Sequence, residues 1–356
     1  GYEDDSSYPR LKTYKNLWFE FISDENIKLA IKKFSKGKKK RKKVRKILEN
    51  EEKWIPKIRE YAINFTPFEH EPKEIYDGIS RKKRKIVIPT VMESIVHHMI
   101  VNVLKPMFNK GMYEHSYGSV PKRGGAYGKK CICKWIKRGG KNIKYCYKLD
   151  VKQFYASIPQ DKLIEKLKYK IKDFKFMQIV ENVIHCVPNG LPLGFYTSVW
   201  FANWYLSELD HEIKSLGIEL KYARYVDDMA IFCASKKKLR KVKAVIDNRL
   251  AELGLTVKGN WQIFRIGMNR YDKSGRALDY VGYQFFRKQK LMRKRTKQNL
   301  CREIKSARKK GIKEDALKMR ISPWLGWTAH SDSRHLLEKI GAFHNIHNYN
   351  FKKIAK

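Results

Sequence analysis

Three carboxylates stand at positions where a strongly basic chain has few acids to spare. Asp150 ends an apolar, β-type run at residues 143–151, and Asp227 and Asp228 form the turn between two short apolar runs. In a split βαβ sheet such strands lie side by side, so the acids would meet at one edge. Repulsion between them favours a bound cation, and carboxylate oxygens suit Mg²⁺, two of which support in-line phosphoryl transfer. An Asp pair is also an ordinary turn sequence, so spacing alone leaves that alternative open.

The charge balance indicates what such a site would act on. The chain has 356 residues, with 78 Lys plus Arg against 36 Asp plus Glu and a formal net charge of +42. Self-repulsion on this scale disfavours compaction unless a polyanion supplies counter-charge, and nucleic acid is the natural candidate. Hydrophobic residues make up 42% and aromatic residues 13%, which excludes a disordered basic tail. No apolar run approaches the roughly 18–20 residues of a membrane span and the N-terminus resembles no secretion signal, so we expect a cytoplasmic protein.

Two basic clusters are predicted to contact phosphates. The first belongs to a helical segment at residues 26–49, in which residues 32–46 carry no acid; a solvated helix face is the alternative. The second cluster leads into a β-branched run and predicts a hairpin strand with a charged tip. The expected contacts are Lys38, Lys39, Lys40 and Arg41 in the first cluster, and Arg81 and Lys82 in the second.

The remaining pattern predicts the elements that would position the acids. Helical spacing or composition indicates helices, and β-branched or aromatic runs indicate strands. The predicted helices cover residues 91–108, a segment that opens at 160, residues 197–216 and residues 236–253, and the predicted strands cover residues 255–257, 261–266 and 278–286. The order of strand, helix, helix, hairpin, helix and strand indicates an α+β domain of split βαβ type.

The six cysteines do not form the two spaced pairs of a zinc-binding module. Cys131 and Cys133 are predicted on one face of an extended segment, without a second Cys or His pair nearby. His97 and His98 lie in a predicted helix, where core or surface histidines are more common than ligands. We therefore expect buried or free thiols in a reducing compartment rather than zinc ligands.

Several motifs resemble those of reverse transcriptases. YVDD at residues 225–228 looks like their Tyr-x-Asp-Asp box, KLDVKQFY at 148–155 like their first aspartate motif, and LPLGFYTS at 191–198 like the loop and helix between them. Further matches are RKIVIP at 84–89 for the fingers hairpin, GLTVK at 254–258 for the lysine-bearing motif, and DYVGY at 279–283 for the primer-gripping hairpin. The motifs follow the family's order, and the resemblance covers roughly residues 20–350.

The resemblance implies a right-hand polymerase with fingers, a palm built on an antiparallel split βαβ sheet, and a helical thumb. It assigns roles to three groups of residues. The catalytic group is Asp150, Asp227, Asp228 and Lys258: the three acids bind two Mg²⁺ ions, for which Mn²⁺ can substitute, and Lys258 acts as general acid. The second group, around the incoming dNTP, is Arg84, Tyr155, Leu193 and Gly194, with Tyr155 as a gate against the 2′-hydroxyl. The third group is Arg293, Lys294 and Arg295, on a thumb helix that holds the RNA–DNA hybrid. Arg84 and Lys258, each taken alone, are equally consistent with surface cations.

Within that superfamily the chain resembles the reverse transcriptases of diversity-generating retroelements, which are bacterial or phage-encoded. Leu193 is aliphatic where retroviral and intron enzymes have Gln, and residues 201–211 and 324–333 are also similar to that group. Residue 199 is Val where the group has Gln. The implied function is error-prone cDNA synthesis at template adenines, because an aliphatic side chain cannot hydrogen-bond to template or substrate. A defence-associated bacterial reverse transcriptase and a non-catalytic RNA-binding scaffold are the alternatives.

The same resemblance implies a domain division and partners. The implied domains are a basic N-terminal helical extension at 1–60, fingers with part of the palm at 61–142, the palm at 143–287, and the thumb with a C-terminal tail at 288–356. The implied partners are a structured template RNA, a primer, the RNA–DNA hybrid, dNTPs and a small basic, oligomeric accessory protein encoded nearby, with no membrane.

Overall fold

The computed structural model describes residues 12–68, 70–76, 83–118 and 120–339. Its helices are α1 (Leu17–Phe21), α2 (Asp24–Ser35), α3 (Lys42–Glu49), α4 (Glu51–Ile63), α5 (Val91–Gly111), α6 (Gly125–Arg138), α7 (Phe154–Ser157), α8 (Gln160–Lys170), α9 (Phe174–Ile184), α10 (Tyr196–Tyr205), α11 (Ser207–Ser215), α12 (Lys236–Glu252), α13 (Lys294–Lys309), α14 (Glu314–Ala329) and α15 (Arg334–Lys339). Its strands are β1 (Lys73–Tyr76), β2 (Lys83–Ile86), β3 (Ser116–Tyr117), β4 (Tyr145–Asp150), β5 (Lys221–Tyr225), β6 (Asp228–Cys233), β7 (Gln262–Arg265), β8 (Leu278–Tyr280), β9 (Tyr283–Phe285) and β10 (Lys290–Met292). Among the described residues, each helix is too short or too polar to cross a membrane.

A five-stranded sheet in the order β3-β5-β6-β4-β7 lies at the centre of the fold. Strands β5, β6, β4 and β7 pair antiparallel, and helices connect β4 to the β5–β6 hairpin and β6 to β7. The predicted α+β fold with a split βαβ sheet is therefore confirmed. One detail was wrong: β3 pairs with β5 in parallel, so the sheet is mixed and not wholly antiparallel.

Both faces of the central sheet are buried, which explains its apolar strands. Side chains of successive strand residues point to opposite faces. Tyr147 and Ile231 therefore join the larger core, which also contains buried residues of α2, α5, α10 and α12. Cys146 and Phe232 face the other way and pack in a second core with Ile132 of α6 and with β8 and β9. Alternate residues of β4 and β6 thus belong to different cores, one on each face of the sheet.

Helix α5 runs through the larger core as far as Phe108, and a capping motif fixes its first turn. Thr90 caps the helix, because its side chain accepts from the Glu93 backbone N–H while the Glu93 carboxylate accepts from the Thr90 N–H. His97 and His98 lie buried in this helix, so of the two positions that the sequence left open, core and surface, the structure shows the core. The helix packs against α2, α4 and α10 and so connects the N-terminal helices to the sheet.

Four local predictions were wrong in detail. The helix predicted at 26–49 is two helices, because the chain turns at Gly37 in a left-handed conformation (φ 74°). The helix predicted at 197–216 is interrupted at Leu206 into α10 and α11. Cys131 and Cys133 lie on helix α6 and not on an extended segment. The strand predicted at 255–257 is reduced to one isolated bridge from Val151 to Val257.

The C-terminal part begins with a three-stranded antiparallel sheet in the order β10-β9-β8. Helices α13 and α14 pack against each other behind it, around a small core that includes Leu300, Ile321 and Trp324. Trp327 connects this unit to the sheet, since its ring lies 5.0 Å from that of Tyr283.

Candidate active site

The structure brings the three predicted acids together. Strands β4 and β6 are neighbours, and Asp150 lies directly opposite Asp228 in their register. Asp227 immediately precedes β6, in the turn that joins it to β5. The turn holds Val226 and Asp227, and not Asp227 and Asp228 as predicted, because Asp228 pairs with Tyr225 across the hairpin as the first residue of β6. All three carboxylates therefore stand at one end of adjacent strands, as the spacing predicts.

Electrostatics at this corner favour a bound cation. Burial, its hydrogen bond to Asp150 and the charges of Asp150 and Asp228 together raise the pKa of Asp227 to about 7, and burial is the largest cause. Burial also raises the pKa of Asp228 to about 6, although the Lys148 ammonium lowers it. A group of hard oxygen donors whose negative charges oppose one another is the donor set that a divalent cation stabilises. The residues at this corner therefore fit Mg²⁺ or Mn²⁺.

Two lysines border the acids. The Lys148 ammonium pairs with the Asp228 carboxylate across the strands. Lys258 Nζ lies 3.1 Å from Asp150 Oδ2, and the Lys258 backbone N–H donates to the Asp150 carbonyl at 2.8 Å. The segment after α12 therefore places Lys258 beside the corner, as the motif predicts, with its ammonium bound to a carboxylate.

The hairpin turn that carries Asp227 has an unusual backbone. Val226 has φ 60°, a conformation that is costly for a β-branched residue. Hydrogen bonds hold it on both sides: its N–H donates to the Tyr117 carbonyl at 3.1 Å, and its carbonyl accepts from Arg224 Nη1 at 2.8 Å. Gly118 leaves space for the turn, since a Cβ there would lie 2.8 Å from Val226 Cγ2. The surroundings thus determine the position of Asp227.

Arg224 belongs to a buried network that the sequence analysis missed. The side chains of Arg224 and Asp210 are both fully buried, and the guanidinium binds both carboxylate oxygens, at 2.8 and 2.5 Å. Asn203 accepts from the same guanidinium through its side chain and its backbone, and Tyr222 donates to Asp210 at 2.7 Å. The available signal was an Arg between Ala223 and Tyr225, where strand alternation places it in the interior, because a buried Arg requires an acidic partner.

The four residues predicted around the dNTP lie on segments that meet beside the acids. The Val87 N–H donates to the Leu193 carbonyl at 2.8 Å, which joins the strand that carries Arg84 to the loop. Gly194 has φ 118°, and a Cβ there would lie 2.1 Å from the Val87 carbonyl oxygen, so only glycine fits. Burial and, to a smaller extent, the Asp227 charge raise the pKa of Tyr155 to about 12, and Arg84 opposes this increase. Tyr155 is thus within electrostatic reach of both.

The predicted nucleic-acid contacts lie on two described surfaces. Lys38, Lys39, Lys40 and Arg41 occupy the turn between α2 and α3, where all but Lys38 are exposed and the Lys38 ammonium lies 4.1 Å from the centre of the Phe34 ring. Lys294 and Arg295 are exposed at the start of α13, and Arg293 pairs with Asp279 just before it. Arg293 also contributes to the electrostatics of Asp228, so the start of α13 is near the acids. Arg81 and Lys82 lie outside the described residues.

Comparison with known proteins decides the family. The sequence profile of the reverse transcriptase (RNA-dependent DNA polymerase) family matches residues 72–285, more than half of the chain and all three acids. The chain belongs to the reverse transcriptase family. The prediction of that family is confirmed, and the diversity-generating subgroup is not tested by the match.

Curated relatives of this reverse transcriptase are encoded in introns. A 91 kDa protein in the cob intron of Schizosaccharomyces pombe is 28% identical over 183 residues, which cover 48% of this chain and 22% of that protein. The group II intron-encoded protein LtrA of Lactococcus lactis subsp. cremoris is 27% identical over 157 residues, 41% of this chain and 25% of LtrA. The matching segments span about a quarter of the length of these relatives.

Solved telomerase structures are also similar to this reverse transcriptase. Apo telomerase from Candida tropicalis has a TM-score of 0.48 and 17% identity, covering 83% of this chain and 65% of that chain. Telomerase from Candida albicans, solved with a fragment of telomeric RNA, has a TM-score of 0.47 and 12% identity, covering 84% and 59%. TM-scores below 0.5 add nothing to the assignment, which rests on the family match.

Proposed function

We propose that this protein is an RNA-directed DNA polymerase whose catalytic acids are Asp150, Asp227 and Asp228. One observation carries the proposal: three carboxylates whose like charges repel one another lie together at the ends of β4 and β6, within the segment that matches the family. A protein that only bound RNA would gain nothing from holding mutually repelling acids in a strongly basic surface. The basic exterior supplies the counter-charge for template, primer and RNA–DNA hybrid.

The three acids would hold two Mg²⁺ ions, with Mn²⁺ as a substitute. When bound, such ions lower the pKa of an attacking hydroxyl and neutralise charge on a leaving pyrophosphate. The chain's part is to present the acids: the register of β4 and β6 sets Asp150 against Asp228, and the Val226 turn sets Asp227 beside them.

The neighbouring residues would position the dNTP and its protons. Tyr155 would stand against the sugar and exclude a 2′-hydroxyl, and Arg84 would bind the triphosphate as a cation. Lys258 Nζ would donate a proton to the leaving pyrophosphate. Because that ammonium is hydrogen-bonded to Asp150 in the free protein, it must exchange this partner for the substrate.

Replacing both hairpin acids tests the polymerase proposal. We expect Asp227→Asn combined with Asp228→Asn to lower dNTP incorporation on a primed RNA template by about 1,000-fold or more, with RNA affinity unchanged. Asp315→Asn is the matched control, since that side chain is 98% exposed, and should behave as the parent. Incorporation that survives the double substitution would overturn the assignment of the acids, and RNA binding without any incorporation by the parent would indicate the scaffold alternative.

The diversity-generating subgroup is a further part of the proposal, and Leu193 is its support. The backbone of Leu193 is tied to Val87, so its half-buried side chain is held beside the pocket without a polar group to offer. We expect Leu193→Gln to reduce errors opposite template adenine in sequenced cDNA, because an amide restores a hydrogen-bonding contact to the pocket. Leu191→Met at the buried start of the same loop is the control, and equal error rates in all three proteins would contradict this subgroup.

The proposed domain division follows the predicted boundaries: an extension at 1–60, fingers at 61–142, a palm at 143–287 and a thumb at 288–356. Helix α4 continues to Ile63, so the extension and the fingers would share that helix. Lys39, Lys40 and Arg41 in the proposed extension and Lys294 with Arg295 in the proposed thumb present exposed cations, as backbone contacts to RNA require. The basic accessory protein stays a prediction.

A further inference from the structure

Three different metal-ligating side chains meet on elements separate from those that carry the catalytic acids. His70 precedes β1, Glu93 lies in the first turn of α5, and Cys186 follows α9. One ligand atom from each lies within 4.8 Å of the other two. We infer that His70, Glu93 and Cys186 form a second metal site, which takes Zn²⁺.

Burial distinguishes this cluster from an ordinary surface group. The side chains of His70 and Glu93 are 7% and 0% exposed, and Cys186 is buried. Only one strong contact joins them without a metal, between His70 Nε2 and Glu93 Oε1 at 2.7 Å. The Cys186 thiol has a weak contact of 3.4 Å to the Asn182 carbonyl. A nitrogen, an oxygen and a sulfur donor therefore face one another in the interior.

The donor set is one that Zn²⁺ prefers. Zinc binds His nitrogen, carboxylate oxygen and Cys sulfur at about 2.0–2.3 Å, so tetrahedral ligand atoms lie roughly 3–4 Å apart. The His70 Nε2–Glu93 Oε1 separation of 2.7 Å lies just below that range and must open slightly, and the Cys186 sulfur lies within 4.8 Å of a ligand atom of each residue. On binding, the thiol releases its proton to solvent and the thiolate becomes the ligand, and the proton shared by His70 Nε2 and Glu93 Oε1 moves to His70 Nδ1 or to solvent, which frees both atoms for the metal. A water molecule completes four ligands, as in other three-ligand zinc sites.

The charges of the cluster also favour a cation. The Glu93 side chain is fully buried, and the buried Cys186 contributes a second negative charge once it binds as a thiolate. Glu93 Oε2 is used by the Thr90 backbone N–H at 3.0 Å, which leaves Oε1 for a ligand. A doubly charged ion offsets the desolvation of a buried carboxylate and thiolate together.

The position of the cluster suggests what a bound ion would do. His70 lies just before the β1–β2 hairpin, and Cys186 lies just before the loop that contains Leu193. Those two segments meet again at the bond from Val87 to Leu193. An ion held by His70, Glu93 and Cys186 would therefore fix the bases of both segments. This consequence rests on the proposed polymerase function, whereas the metal site itself does not.

Metal analysis of the full chain tests the site without measuring activity. After chelation and reloading with zinc in excess Mg²⁺, we expect one zinc per chain by mass spectrometry of the metal, and none retained by His70→Gln or Cys186→Ser. Cys131→Ser is the matched control, because Cys131 is a partly exposed cysteine outside the cluster, and should retain zinc. Absence of zinc from the parent, or full retention by Cys186→Ser, would overturn the site.

Two further measurements keep the test valid if a variant folds poorly. Cobalt bound to the parent should show a thiolate-to-cobalt charge-transfer band, and binding without that band would exclude Cys186 as a ligand. Zinc should raise the melting temperature of the parent and of Cys131→Ser, since a ligand that binds only the folded state stabilises it. A parent protein that binds zinc but incorporates no dNTP would instead count against the proposed polymerase function and leave the zinc site standing.

Discussion

Two charged clusters lie next to each other at the end of β5, and their charges are balanced in opposite ways. Behind the hairpin, Arg224 and Asp210 are both fully buried, and each forms hydrogen bonds with several partners. In the hairpin itself, Asp227 and Asp228 lie beside a third acid, partly exposed, and burial and mutual repulsion raise the pKa of both. In the first cluster the buried positive and negative charges compensate each other, whereas in the second cluster the negative charges outnumber their partners.

The difference indicates a division of labour. A buried Arg224 whose carboxylate partner is in place can hold the Val226 carbonyl at 2.8 Å and so fix the turn. The negative charges of Asp227 and Asp228 can then stay close together although they repel, because the turn cannot relax to separate them. Stability is concentrated behind the hairpin, and binding capacity is concentrated at its tip.

The largest effect should come from breaking the first cluster. We expect Asp210→Ala to lower the free energy of unfolding by about 3–5 kcal/mol, because it leaves the Arg224 charge buried without its partner. Urea unfolding of the metal-free protein measures this loss. Asp161→Ala replaces an exposed acid on α8 and should change the free energy little. A loss for Asp210→Ala no larger than that of Asp161→Ala would contradict the comparison.

Neutralising the second cluster should have the opposite sign and a smaller size. The pKa of Asp227 is about 7 in the folded protein, above the ordinary 3.8, so the folded state binds more protons than the unfolded state between these pH values. Stability from this group is present at low pH and is lost as pH rises to about 7. We therefore expect Asp227→Asn to stabilise the metal-free protein above pH 7 by on the order of 2 kcal/mol, and not at pH 4.

The measurement is the difference in unfolding free energy between Asp227→Asn and the parent, taken from pH 4 to 8 with a chelator present. Burial lowers the pKa of His97 to about 3 and of His98 to about 4, which gives stability the opposite pH dependence. Those contributions are common to both proteins and cancel in the difference. If the difference in unfolding free energy does not grow with pH, burial and the neighbouring acids do not raise the pKa of Asp227.

The smallest effect should come from the lysine at the edge of the acids. We expect Lys148→Met to cost less than about 1 kcal/mol, because an ion pair with partial solvent access contributes little. The pKa of Asp228 should rise further, since Lys148 lowers it, and the pH window of the stability loss should move upward. Lys243→Met is the matched control: Lys243 pairs with Asp247 on α12, and the exposed fractions of Lys243 and Lys148 are 21% and 19%. If Lys148→Met leaves the pH range of the stability loss unchanged, Lys148 does not influence the titration of the acids.

The sequence predicted the elements well where one physical signal dominates. Strand β4 and helix α12 follow from apolar spacing and end close to their predicted limits. Predictions were poorer where a single residue decides, as at Gly37, whose left-handed backbone interrupts a strongly helical segment. The extended segment predicted for Cys131 and Cys133 became helix α6 because packing of Ile132 on the sheet outweighed local preference.

Amino-acid types alone determined the charge excess, the strand alternation and the presence of scarce acids at strand ends, because these depend on composition and local spacing. Only the tertiary structure decided that Asp150 lies opposite Asp228, that Arg224 meets Asp210, and that His70, Glu93 and Cys186 converge. The reason is physical: register and convergence join residues far apart in the chain, and the packing of side chains on both faces of the sheet selects one arrangement from many that local spacing allows.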